Sequence, residues 1–190
     1  MHLLLAFAPF IVFAAVDRLV GSTQALVAAA LTAAALVLRD HLRPGRSPKL
    51  LEIGTVILFG GLAAYALIAR PDWSVIQVRL FVDAGLLLVV LATLALGRPF
   101  TLQYAREQVP AELWDSPAFL RTNQVITTVW ALAFAVMVLA ELALLYLPAM
   151  PPRIGIVAVI LALVGAFKFT AWYPEHVRQR TVPRSDAAQP

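Results

Sequence analysis

Residues 97–130 read GRPFTLQYAREQVPAELWDSPAFLRTNQVITTVW and contain no long apolar run. Residues 97–99 (Gly-Arg-Pro) predict the end of a helix, because glycine suits the C-terminal cap and proline cannot continue the hydrogen-bond ladder. Residues 101–108 have a helix-forming composition and predict a short helix on the membrane surface. Residues 115–117 (Asp-Ser-Pro) predict a new helix start at about Pro117, with an N-cap side chain followed by proline in the first turn.

Strongly apolar blocks lie on both sides of this stretch. The chain of 190 residues is 61% hydrophobic and 14% charged, whereas a soluble domain is about 45–50% apolar and about 25% charged. The core of a water-soluble domain of this length cannot bury so many extra apolar residues. A membrane span needs about 20 apolar residues. The sequence therefore predicts an all-α, polytopic transmembrane helical bundle with about six spans, at residues 3–20, 23–38, 51–69, 76–96, 125–147 and 154–173.

The predicted bundle occupies residues 1–174 and includes a cytoplasmic loop at 97–123. Pro174 is predicted to close the last helix, and the polar residues 175–190 are predicted to be a disordered cytoplasmic tail. The first block lacks the basic start of a signal peptide and is followed by further spans, so we interpret it as a retained span. An alternative for the first two blocks is a short helical hairpin that turns at Gly21-Ser22.

The distribution of basic residues predicts the orientation of the bundle. Eleven of the 15 Lys and Arg residues fall after the second block, after the fourth block or near the C-terminal end. Since cytoplasmic loops are enriched in Lys and Arg, both termini are predicted to be cytoplasmic. The net charge of +4 is thereby assigned to contacts with anionic lipid, and nucleic acid is not an expected partner.

Few charged residues fall inside the predicted spans, and such residues are candidates for function because their burial is costly. Arg79 and Asp83 are four residues apart on one helix face and can pair. Glu141 falls at a similar depth in the fifth predicted span, with Asp17 near the same level. One interpretation is an intramembrane polar cluster that forms an outward-facing pocket or a proton-coupled pathway. The other is a structural ion pair near the interface.

Other side-chain patterns in the spans indicate helix packing. Asn123, Thr127 and Trp130 share one helix face, and they either bond to neighbouring helices or line a cytoplasmic vestibule. Small residues are expected to allow close helix contacts at two places, the stripe Ala25, Ala29 and Ala33 and the glycines Gly54, Gly60 and Gly61.

The sequence contains no recognisable catalytic or metal-binding motif. It has no cysteine, and its three histidines are not at metal-ligand spacing within a helix. Glu52 is interpreted as a carboxylate favoured at a helix N-terminus. The acidic and histidine side chains of the inner loops (Asp40, His41, Glu107, Glu112 and Asp115) are interpreted as solvated. We therefore predict no catalytic residue, no metal and no cofactor, and a non-enzymatic role. A membrane enzyme would need these side chains to converge on a lipid-sized groove.

Short motifs along the chain resemble those of the bacterial intracellular septation protein A family of small inner-membrane proteins. The opening Phe-x-Pro-x-x-Val-Phe pattern lies at residues 7–13 and a Phe-Gly pair at Phe59-Gly60. The turn at residues 97–99 is similar to the family's Gly-Lys-Pro. Further similar elements are Trp114, Arg121-Thr122-Asn123 and residues 130–134 (Trp-Ala-Leu-Ala-Phe). In the family these three elements lie close together, whereas here they spread from Trp114 through Asn123 to Trp130. The resemblance is therefore to a distant relative or a sister family.

The resemblance implies a multi-pass protein of the bacterial inner membrane with a role in cell-envelope maintenance or division. Its expected partners are the lipid bilayer and other membrane, division or envelope proteins, or a second copy of itself. The expected partner surface comprises Arg98, Tyr104, Arg106, Trp114, Asn123 and Trp130. The alternative function is a small solute or proton-coupled transporter or channel that uses Arg79, Asp83 and Glu141.

Overall fold

The chain folds as an all-helical bundle, which confirms the predicted class. The computed structural model describes residues 5–42, 49–147 and 149–181. Within these ranges there is no β-strand. The α-helices are α1 (Ala8–Leu19), α2 (Ser22–His41), α3 (Leu50–Ala69), α4 (Val75–Ala95), α5 (Phe100–Arg106), α6 (Pro117–Tyr146) and α7 (Pro152–Thr181), and a 3-10 turn covers Ala111–Leu113.

Five helices in the described ranges, and not the six predicted, are long and apolar enough to cross a bilayer. These are α2, α3, α4, α6 and α7, each with 20 residues or more. Twenty residues of α-helix extend about 30 Å, the thickness of the hydrocarbon core. The first predicted span, 3–20, is replaced by α1, which has 12 residues and extends only about 18 Å. Pro9 lies in its first turn, and residues 3 and 4 lie outside the described ranges.

The helices α1 and α2 form a hairpin, which was the alternative to two full spans. Of these two helices, α2 is long enough to span the membrane and α1 is not. Gly21 makes the turn possible with a φ of 136°, a backbone conformation that a residue with a Cβ rarely adopts. The Ser22 hydroxyl donates to Asp17 Oδ1 across the turn at 2.6 Å. This hydrogen bond connects the end of α1 to the start of α2.

The helices pack in sequence around two apolar cores. In the described residues α1 packs on α2, α2 on α3, α3 on α4, α4 on α6, and α6 on α7. One core surrounds Trp130 and Phe134 between α4, α6 and α7. The other surrounds Leu26 and Phe59 between α1, α2, α3 and α4. Phe10 of α1 packs against both cores and so connects the two halves of the bundle.

Small residues allow two of the close helix contacts, as predicted. Ala25, Ala29 and Ala33 are all buried, which confirms the stripe on α2. A Cβ on Gly54 would lie 2.5 Å from Val89 Cγ1, so α3 and α4 approach closely at this point. The prediction for Gly60 and Gly61 is wrong, because a Cβ on either residue would meet no atom within 4 Å.

The helix ends near the 97–130 stretch follow the predicted capping chemistry. Gly97 follows the end of α4 with a φ of 66°, the left-handed conformation typical of a C-terminal glycine. Ser116 caps α6 by accepting the Phe119 N–H at 3.3 Å, and Pro117 is the first residue of the helix. The predicted long helical lead-in to the apolar part of α6 is therefore present.

The last helix does not end at Pro174 as predicted. Pro174 lies inside α7, which continues to Thr181. Proline removes one backbone hydrogen bond from a helix, but the remaining turns on both sides keep the helix continuous here. Residues 175–181 of the predicted disordered tail are therefore helical, and residues 182–190 lie outside the described part of the chain.

Candidate functional site

One group of polar side chains lies where α1 turns into α2. We call Asp17, Ser22, Arg79, Asp83 and Glu141 the Arg79 cluster. Arg79 Nη2 lies 3.6 Å from Asp17 Oδ2, and the Ser22 hydroxyl donates to the other oxygen of Asp17. Asp17 is buried, whereas the side chain of Arg79 is 43% exposed. The hairpin of α1 and α2 thus supplies the carboxylate that neutralises Arg79.

The cluster brings the three predicted residues together, but with different pairing. Arg79 and Asp83 do not form a salt bridge in the described structure, where the carboxylate within 4.0 Å of Arg79 belongs to Asp17. Asp83 of α4 lies near Glu141 of α6, the helix that packs against α4. Both acidic residues are buried. The predicted pairing failed because sequence spacing places Asp83 on the same helix face as Arg79 but says nothing about carboxylates on neighbouring helices.

A second polar group lies at the opposite end of the bundle. We call Arg39, Asp40, Lys49, Glu52, Tyr104 and Glu107 the Lys49 cluster. Lys49 Nζ lies 3.0 Å from Glu107 Oε1, 3.1 Å from Asp40 Oδ2 and 3.7 Å from Glu52 Oε1. The Lys49 side chain is only 5% exposed. One buried ammonium group therefore connects the end of α2, the start of α3 and the segment after α5.

Further contacts hold the Lys49 cluster in place. Arg39 Nη2 lies 2.7 Å from Asp40 Oδ1, and Lys49 Nζ lies 5.0 Å from the centre of the Tyr104 ring, which permits a cation–π interaction. The Tyr104 hydroxyl donates to Glu52 Oε1 at 3.5 Å. Gln103 Oε1 accepts the Leu50 N–H at 2.7 Å. This last bond satisfies a backbone donor that the start of α3 would otherwise leave open.

The charges in the Lys49 cluster stabilise the ionised lysine. Burial acts to lower the pKa of Lys49, but its hydrogen bonds with Glu107 and Asp40 and the charge of Glu52 outweigh that effect, so the pKa lies above its ordinary value. Burial and the neighbouring Glu52 carboxylate raise the pKa of the Tyr104 phenol. Lys49 is therefore held as a cation and Tyr104 as a neutral phenol.

The two clusters are separated by approximately one membrane thickness. Ser22 belongs to the Arg79 cluster and Asp40 to the Lys49 cluster, and both lie on α2. Asp40 lies 18 positions after Ser22, which corresponds to about 27 Å of helix. The hydrocarbon core is about 30 Å thick. The clusters thus mark the two edges of the apolar part of the bundle.

The sequence interpretation missed the Lys49 cluster as a unit. Asp40 and Glu107 were expected to be solvated, yet Asp40 is completely buried. Glu52 was assigned to the helix dipole alone. The available signal was the Lys49–Glu52 spacing of three residues across a helix start. The contacts with Tyr104 and Glu107 were not predictable from spacing, because they depend on α5 folding back over the start of α3.

The predicted partner surface is divided between the core and the exterior. Tyr104, Asn123 and Trp130 are buried and belong to the packed bundle. Arg98 is exposed, and Arg106 and Trp114 are partly exposed. The short helix α5 does not lie with an apolar face toward lipid, because its apolar side is buried against the bundle. Three of the six predicted residues are therefore accessible to a partner.

The accessible part of this stretch has a defined shape. The Trp114 indole N–H donates to the Val109 carbonyl at 2.9 Å. The Arg106 guanidinium lies 5.3 Å from the centre of the Trp114 ring. Next to this stack, Leu113 is 51% exposed. We call Arg106, Val109, Leu113 and Trp114 the Trp114 surface.

The polar stripe of α6 serves helix packing, which is the first of its two interpretations. Asn123, Thr127 and Trp130 are all buried. The Thr101 hydroxyl donates to the Asn123 carbonyl at 3.0 Å and lies 2.8 Å from the Thr127 hydroxyl. The Trp130 indole donates to Thr170 Oγ1 at 3.0 Å. These bonds connect α6 to α5 on one side and to α7 on the other.

Neither of the two best-formed crevices in the described residues reaches the Arg79 cluster. The larger, with a volume of about 320 Å³, is an open apolar groove between α2 and α3. The smaller lies near Ala6, Pro9 and Glu52 and leaves no space for a water molecule. Across the described ranges, no three His, Cys, Asp or Glu side chains are grouped so that they could hold a metal ion.

Comparisons of this chain with protein-family models, with curated proteins and with solved structures found no match. The class of the protein therefore rests on its own features. The five apolar helices of spanning length in the described ranges define a multi-pass integral membrane protein.

Proposed function

We propose that this chain is a non-enzymatic protein of the bacterial inner membrane that acts in cell-envelope maintenance or division through protein partners. The partners bind the Trp114 surface, in the segment between α5 and α6. The motif resemblance to the septation protein A family supports the cellular role. The observation that carries the binding site is the partly exposed Trp114 surface, in which Arg106 lies over the Trp114 ring beside the exposed Leu113.

The chemistry of the Trp114 surface suits protein recognition. Interface centres are enriched in tryptophan and arginine, and here Trp114 and Arg106 stack on each other. The Trp114–Val109 hydrogen bond holds the segment in one conformation, which reduces the entropy that a partner must remove on binding. The half-exposed Leu113 adds apolar area that is not covered by the bundle.

The Arg79 cluster gives less support to the alternative of a solute transporter. Transport needs a water-accessible path to the polar side chains. Asp83 and Glu141 are buried, and the described crevices are lined by other residues. Arg79 is also paired with Asp17, so its charge is not free to bind a transported anion.

The test is complementation of a deletion strain with the wild-type chain, Leu113→Ala, Trp114→Ala and the control Leu132→Ala. Leu132 is 62% exposed on α6, so this leucine truncation is matched to Leu113→Ala but lies within the apolar span. Cell-length distribution and envelope permeability are the readouts, and membrane levels are measured by immunoblot. We expect the two Trp114-surface variants to fail and Leu132→Ala to succeed at equal membrane levels.

Two outcomes contradict the proposal. If the deletion changes neither cell length nor envelope permeability, the cellular role is wrong. If Leu113→Ala and Trp114→Ala restore the wild-type phenotype fully, the Trp114 surface is not the binding site. Failure of Asp83→Asn and Glu141→Gln alone would instead favour the transport function.

A further inference from the structure

An apolar groove with a volume of about 320 Å³ runs between α2 and α3 on the surface of the bundle. It is lined by six residues of these two helices, namely Thr23, Gln24, Val27, Ala28, Leu31 and Leu67. Both helices are of spanning length, and Leu31 and Leu67 are 66% and 55% exposed. The groove is therefore open to the lipid in which the two helices lie.

The groove has about the length of one membrane leaflet. From Thr23 to Leu31 the helix rises by about 12 Å, and half of the hydrocarbon core is about 15 Å thick. Thr23 directly follows Ser22 of the Arg79 cluster, which marks one edge of the apolar part of the bundle. The groove thus runs from this edge toward the middle of the membrane.

The width of the groove suits a single hydrocarbon chain. A volume of about 320 Å³ along about 12 Å of helix gives a cross-section of roughly 27 Å². An α-helix with its side chains has a diameter of about 10–12 Å and therefore a cross-section of roughly 80–110 Å². A helix of a protein partner or of a second copy could insert only individual side chains, whereas one acyl chain fits along the whole groove.

Polar groups lie at the end of the groove that is nearer to the membrane edge. Among the described residues neither the Thr23 hydroxyl nor the Gln24 amide has a hydrogen-bond partner. Arg70 follows the end of α3 three positions after Leu67, is exposed, and has no ion-pair partner within the described ranges. A hydroxyl and an amide can donate to ester oxygens, and a guanidinium suits a phosphate.

We propose that the groove between α2 and α3 is a binding site for one phospholipid. One acyl chain lies along Ala28 and Leu31. The glycerol ester oxygens accept hydrogen bonds from Thr23 and Gln24, and the phosphate lies against Arg70. Bulk lipid is as apolar as the groove, so the preference for this site comes from van der Waals contact with two helices and from the headgroup contacts.

Native mass spectrometry measures the binding. The probe is dioleoylphosphatidylglycerol, titrated against the full-length protein in detergent after co-purified lipid has been removed. Ala28→Phe places a ring in the groove, and the matched control Ala34→Phe places one at an exposed position of the same helix. We expect Ala28→Phe to weaken binding of the first lipid by roughly tenfold, because the site is then overpacked. Ala34→Phe should change it by less than about twofold.

Arg70→Gln tests the phosphate contact separately. This change removes the charge and keeps a polar side chain, and Arg153→Gln is the control because Arg153 is an exposed arginine at the same end of the bundle. One basic side chain near anionic lipid corresponds to roughly fivefold in affinity. We therefore expect the first lipid to bind about fivefold more weakly to Arg70→Gln and with unchanged affinity to Arg153→Gln.

The proposal is overturned if Ala28→Phe or Arg70→Gln binds the first lipid as tightly as the wild type. It is also overturned if either control loses as much affinity as its partner variant, since lipid would then adhere without a defined site. A smaller assembly of Ala28→Phe with unchanged lipid binding would identify a second copy as the occupant and contradict the proposal. Should Ala28→Phe not fold, Leu67→Trp fills the groove from α3 and is read in the same way. None of these readouts depends on a protein partner, so they are separate from the test of the Trp114 surface.

Discussion

Replacing Lys49 by methionine should destabilise the bundle more than any exposed lysine replacement. The substitution keeps the length of the side chain but removes the cation that lies within 4 Å of Asp40, Glu52 and Glu107. Removing one partner of a buried ion pair costs about 3–5 kcal/mol. Arg39 still contacts Asp40, and the side chain of Glu107 is 24% exposed, so we expect the lower end of this range.

A loss of about 3 kcal/mol corresponds to a decrease of roughly 6–12 °C in melting temperature for a chain of this size. Tryptophan fluorescence during heating of the purified protein in detergent measures this decrease. The matched control is Lys168→Met, since Lys168 is exposed and surface replacements change stability by only about 0.5 kcal/mol.

A double variant shows whether the cluster acts as a unit. Adding Glu52→Gln to Lys49→Met removes one of the carboxylates that the first change leaves without its cation. The double variant should therefore be more stable than the sum of the two single changes predicts. If Lys49→Met and Lys168→Met melt at the same temperature, the Lys49 cluster does not hold the three segments together.

Three further outcomes are expected. Trp130→Phe removes the hydrogen bond to Thr170 and leaves a cavity at a fully buried position. It should therefore lower the unfolding free energy by more than about 0.6 kcal/mol, the average for such bonds in membranes, as measured by unfolding in SDS. Gly54→Ala should lower the melting temperature through its close contact with α4, whereas Gly60→Ala, which meets open space, should not. Because the pKa of Lys49 is raised in the folded state, its stabilising contribution should be fully present below about pH 10.4, the pKa of an unfolded-state lysine, and be lost as the pH rises through the higher folded-state pKa. Alkaline destabilisation should therefore be smaller in Lys49→Met.

The sequence by itself determined the all-helical class and most helix positions. Long apolar runs can satisfy their backbone hydrogen bonds in lipid only as helices or closed barrels, and run lengths near 20 residues indicated helices. Capping is local chemistry, so the start of α6 at Pro117 and the glycine after α4 were also predictable. The length of the first helix was not predictable in this way. An apolar run does not show that the regular helix begins near Pro9 and ends before the hairpin turn.

The tertiary structure decided which charges meet. The sequence predicted that Asp83 shares a face with Arg79, but in the fold Arg79 pairs with Asp17 of α1. It also brings Tyr104 to Glu52 across a separation of 52 residues, which makes the Lys49 cluster. Spacing along one helix defines a face, whereas the partner on that face depends on how neighbouring helices pack. That is the physical reason why the spans and the members of the Arg79 cluster could be predicted from local sequence. The pairing within that cluster, and the Lys49 cluster as a unit, could not.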